Sequence, residues 1–93
     1  METYVTGKIT ADRAEEGRIR GLMDRLSPVG YMFTETAEGV AFTKPGRIES
    51  VITEMVPVCE DHGLDVEDFD LREYRKSDNR ERSRYDNGKI IRD

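Results

Sequence analysis

Apolar and polar residues alternate from the start of the chain. Between Thr3 and Thr10, Val5, Gly7 and Ile9 fall on one side, and Tyr4, Thr6 and Lys8 on the other. This two-residue period, with its β-branched residues, predicts a strand that buries Val5 and Ile9. Gly7 on the inward side predicts close approach of a helix. The period then lengthens. Ile19, Leu22, Met23 and Leu26 recur at helical spacing, one apolar stripe of an amphipathic helix. Asp12-Arg13-Ala14-Glu15 has the form of a capping box at its start, and Ser27-Pro28 stops it. Gly17 and Gly21 cost helix propensity, which close packing or an exposed position explains.

Two alternating runs follow, Gly30 to Thr36 and Gly39 to Lys44. They predict a hairpin with Tyr31, Phe33, Val40 and Phe42 inside and Met32 and Ala41 outside. Helical spacing returns with Ile48, Val51, Ile52, Met55 and Cys59, predicting a second helix over 47–62. Pro57 within it removes one backbone bond and predicts a bend. Gly63 followed by Leu64 suits a left-handed helix cap. Residues 66–76 read as a fourth strand, with Phe69 and Leu71 inward and Asp70, Arg72 and Tyr74 outward. Its far half, from Glu73 to Lys76, has little to bury. A polar turn from Ser77 to Glu81 precedes Asn87-Gly88, whose tolerance of positive φ predicts a hairpin joining 82–86 to 89–92.

The order β-α-β-β-α-β predicts an α+β fold, a ferredoxin-like βαββαβ two-layer sandwich with an additional C-terminal β-hairpin or extended strand. Residues 1–76 form the core, and residues 77–93 a basic extension of the same domain. Both helices would cover one side of the sheet. The other side, carrying Tyr4, Met32 and Tyr74, would lie open as a docking face.

Composition narrows the setting. The 93 residues are 38% charged and contain one cysteine, Cys59, so no intrachain disulfide forms. No leader-like segment or membrane-length apolar run is visible, and a soluble cytoplasmic protein is expected. A small core favours a homodimer. The net charge of −5 divides unevenly: residues 1–71 hold 7 basic and 15 acidic side chains, and residues 72–93 hold 8 and 5.

Candidate chemistry is sparse. Cys59 and His62 are three apart near a helix end, but two ligands do not make a metal site, and Cys59 lies on the apolar stripe. Neither a metal nor another cofactor is assigned, and no catalytic group. Carboxylates are abundant without an apolar pocket to perturb them. Glu60, Asp61, Asp65, Glu67, Asp68 and Asp70 cluster in sequence as an acidic patch for a basic partner. Phosphate loops of the glycine-rich kinds are absent, as is the aromatic-basic RNA-binding signature of this topology. Arg72, Arg75, Arg80, Arg82 and Arg84 offer phosphate contacts on the hairpin, although interspersed acids predict cross-strand neutralisation. The favoured expectation is therefore a non-enzymatic protein-interaction module, such as an acidic inhibitor or regulator of a basic protein surface. A nucleic-acid accessory protein acting through the basic hairpin is the alternative.

Overall fold

The inward alternation of Val5, Gly7 and Ile9 becomes a central strand. A computed structural model gives the fold, and its described residues are 2–10, 12 and 16–92. Strands β1 (Thr3–Thr10), β2 (Met32–Glu35), β3 (Gly39–Pro45), β4 (Arg72–Arg75), β5 (Arg80–Asp86) and β6 (Lys89–Arg92) form one antiparallel sheet. They lie in the order β2-β3-β1-β4-β5-β6. Helices α1 (Glu16–Leu26) and α2 (Ile48–Asp61) complete an α+β architecture. The sheet has six strands where a simple βαββαβ unit has four. The C-terminal hairpin adds its strands to the β4 edge.

The helical stripes meet one side of this sheet. Ile19, Leu22 and Leu26 of α1 and Ile48, Val51, Met55, Val58 and Cys59 of α2 are buried against Val5, Ile9, Val40, Phe42 and Leu71. Burial of such side chains supplies the main stabilisation, at about 1.5–3 kcal/mol each. Tyr85 and Ile90 of the hairpin pack against the same core, which explains why β5 and β6 continue the layer. No helix among the described residues is long and apolar enough to cross a membrane.

Several local readings change. Gly7 admits a cross-strand ring rather than a helix: a Cβ there would lie 2.1 Å from Phe42 Cε2, its register partner on β3. The helix contact belongs to Gly21, where a Cβ would meet the His62 ring at 2.6 Å, while Gly17 faces open space. Glu15, half of the expected capping box, lies outside the described residues. Pro57 is carried inside α2, which runs on to Asp61. At its end, Gly63 has φ +67° and Leu64 N–H donates to Cys59 O at 2.8 Å.

The predicted fourth strand is shorter than its alternation suggested. Residues Val66–Asp68 form a 3₁₀ turn, with Asp65 Oδ1 accepting from Glu67 N–H at 3.0 Å. That side-chain bond competes with strand geometry, and regular pairing begins only at Arg72. Asn87 and Gly88 have φ of +51° and +76°, and the hairpin forms where their dipeptide placed it.

Candidate interaction surface

Strand register builds the rear of the sheet residue by residue. Side chains opposite one another on paired strands share a face. One continuous row therefore crosses all six strands: Met32, Thr43, Thr6, Arg72, Arg84 and Ile91. Beside it runs Pro45, Tyr4, Tyr74 and Glu81. Neither helix reaches this side, and the last strands extend the sheet sideways without folding over it.

The three residues expected on the open face lie together. Tyr4 and Tyr74 stack with ring centroids 5.4 Å apart at 17°. Tyr4 Oη donates to Asn79 Oδ1 at 2.9 Å, which fixes the ring. Met32 is 70% exposed and shares a shallow depression with Tyr4, Thr43 and Pro45. The result is a rigid aromatic pair beside an exposed thioether.

No protein family, curated protein or solved structure matches this chain. Its surface chemistry must therefore speak through its own geometry.

The sequence cluster of acids is only partly assembled in space. Asp61 Oδ2 accepts from Arg25 Nη1 at 2.7 Å, Asp65 caps the 3₁₀ turn, and Asp70 Oδ1 accepts from Arg72 Nε at 3.1 Å. Glu60 and Glu67 are exposed on the α2 end and the turn. Asp68 and Asp70 join Asp12 and Glu38 around a hollow of about 730 Å³, whose floor includes Lys8, Val40 and Ala41. That hollow gives the acidic reading a concave site at one end of the sheet.

The hairpin cations also divide. Arg72 is held by Asp70 and Glu81, which raise its pKa. Arg75 is held by Asp78, whose own carboxyl is lowered in return. Arg80, Arg82 and Arg84 make no salt bridge among the described residues, although Arg80 adds to the field that lowers Asp78. Cross-strand neutralisation therefore covers only part of the hairpin. Cys59 is buried, and burial, followed by the nearby Asp65, Asp68 and Glu60 carboxylates, pushes its thiol up to about 12. It behaves as a small apolar core residue.

A polar network absent from the expected site lies on the helix side. The carboxylate of Glu73, 0% exposed, accepts from Ile48 N–H at 2.8 Å and Arg47 Nε at 3.3 Å. It thus meets the positive end of α2. In the same first turn, Glu49 Oε2 pairs with Arg92 Nη2 at 2.6 Å and Arg47 Nη2 at 3.6 Å. The Glu49 carboxyl is held below its ordinary 4.5, chiefly by its own backbone N–H. Arg92 and Arg47 add to this against the opposing effect of burial. The unfolded chain then binds that proton more readily, so Glu49's contribution is complete at neutral pH and fades as pH falls below about 4.5. Glu49→Gln should flatten the acid side of the stability profile in urea titrations. An unaltered acid limb would exclude the pairing as a source of stability.

Proposed function

We propose that this protein is a non-enzymatic docking module that binds a protein with a basic surface through the rear of its sheet. The uncovered stack of Tyr4 and Tyr74 beside Met32 carries this reading. A rigid, half-buried aromatic anchor on a face no other element covers is typical of the centre of a binding patch. The acidic hollow at the end of the same sheet supplies charge complementarity for a cationic partner. An inhibitory or regulatory role suits a module that acts by occupying a surface. The strand order β2-β3-β1-β4, with α1 and α2 as connections, supports a ferredoxin-like core extended by the hairpin.

The nucleic-acid reading draws on the unpaired arginines of β5. Arg84 belongs to the rear row, whereas Arg75 and its partner Arg80 align with the helix side, so these cations make no continuous track for a phosphate backbone. A second copy on the rear face is the competing occupant.

Met32→Asp with Tyr74→Asp tests the docking reading, because both side chains stand outside the main core. We expect the pair to keep its helical circular dichroism while losing most of the retained partner in affinity capture from the source organism. The retained protein should be basic and should elute with salt. Capture unaffected by the two changes, or a retained acidic protein, would overturn the proposal. Concentration-dependent dimers in sedimentation equilibrium, abolished by the same changes, would instead assign the face to a second copy.

A further inference from the structure

We infer that the helix-facing side of the C-terminal strands holds a binding site for a compact phosphate-bearing ligand. A cleft of about 290 Å³ is lined by Arg75, Arg80, Glu81, Arg82, Ser83 and Arg92. Four arginines from three neighbouring strands line this one space. Arg75 and Arg80 are register partners, as are Ser83 and Arg92. Both pairs align with Thr3, Val5 and Glu73 on the helix side.

The bulge between β4 and β5 contributes the fourth arginine. Glu73 pairs with Ser83 and Tyr74 with Glu81, leaving Arg82 as the extra residue. Such a bulge re-aims the inserted side chain, and Arg82 lines the cleft.

Charge accounting distinguishes this cleft from an ordinary solvated surface. Arg75 is occupied by Asp78, and Arg92 by Glu49 and Ser83. Glu81 also borders the cleft, but its register turns it to the rear beside Tyr74, where its carboxylate is bonded to Arg72 at 2.9 Å. Arg80 and Arg82 make no salt bridge among the described residues, and Arg80 shares the Asp78 carboxylate only at longer range, behind Arg75, although the chain has a net charge of −5. Like charges held together repel, and an anion between them removes that cost. Ser83 is 3% exposed and its Oγ accepts from Arg92 Nη1 at 3.1 Å. Its hydroxyl hydrogen is therefore available to donate. Guanidinium forks and a buried hydroxyl match the oxygens of a phosphate group. Convergence on one cleft favours a compact anion over an extended strand.

The site is independent of the docking face and has its own test. Sodium pyrophosphate is titrated into the whole protein at low, matched ionic strength, following arginine Nε–H signals by NMR. We expect saturable shifts at Arg80, Arg82 and Arg92, and roughly tenfold weaker binding in the Arg80→Gln, Arg82→Gln double variant. Arg84→Gln removes a charge from the rear row and should alter affinity by less than about twofold. Both variants change exposed side chains, and unchanged melting without ligand confirms that they fold. Non-saturable shifts, or equal weakening by Arg84→Gln, would overturn the site. So would tight binding of a single-stranded oligonucleotide with none of pyrophosphate.

Discussion

Gly7→Ala is expected to destabilise the fold by about 2 kcal/mol, lowering Tm by roughly 8–16 °C. The added Cβ would stand 2.1 Å from Phe42 Cε2 and 2.5 Å from Cζ, so the ring must move. It has little room to do so. Tyr31, Phe33 and Phe69 surround it at centroid distances of 5.2, 5.6 and 6.1 Å, and Phe42 itself is 2% exposed. Alanine restricts the unfolded chain and returns about 0.4–1 kcal/mol, less than the overpacking costs. A double-mutant cycle separates this clash from a general dislike of alanine at the position. Phe42→Leu should cost less in the Gly7→Ala background than in the wild type, with a coupling of about 1 kcal/mol. Strictly additive urea-unfolding energies would mean that the ring does not occupy the space above Gly7.

That glycine illustrates what sequence patterns can and cannot resolve. Alternation placed Gly7 on the inner face, but not what would fill the missing side chain's volume. The filling group is 35 positions away on a strand whose register was not yet known. Helical periods were easier to read: Ile19, Leu22 and Leu26, and Ile48, Val51 and Met55, are buried as their spacing required. Asn87-Gly88 was equally legible because turn geometry is local. The start of β4 was misread because Asp65 binds the backbone two residues on, a local competitor that the alternation of Phe69 and Leu71 conceals.

The open face was partly visible in advance. Tyr4, Met32 and Tyr74 could be sorted to one side, but their juxtaposition required the pairing of β1 with β3 and β4. The acidic cluster shows the opposite limit. Adjacency in sequence could not tell that Arg25 and Arg72 would take two of its members. Likewise, cations and acids interspersed along the hairpin gave no indication of which pairs would meet, because the bulge shifts register within it.

Glu73→Ala should be the other strongly destabilising change, at about 3 kcal/mol. The carboxylate lies inside the structure at the start of α2, where Ile48 N–H has no earlier helical carbonyl to bond. Removing it leaves that donor unpaired and releases Arg47 from a charge-assisted bond, together about 1.5–3 kcal/mol. The void left by the fully buried side chain adds to this. The same alternation that turns Leu71 inward also turns Glu73 inward. A buried acid at that position is intelligible only when the α2 terminus is brought above β4, between Val5 and Ser83. Glu73→Gln separates shape from charge. It retains an oxygen for Ile48 N–H, fills the same volume and weakens only the attraction to Arg47, which is about half exposed. We therefore expect the glutamine variant to lose about 1 kcal/mol, and hydrogen exchange at the first turn of α2 to rise more in the alanine variant. Equal losses would assign the stabilisation to charge, whereas a harmless alanine would mean that water or another side chain caps this helix without Glu73.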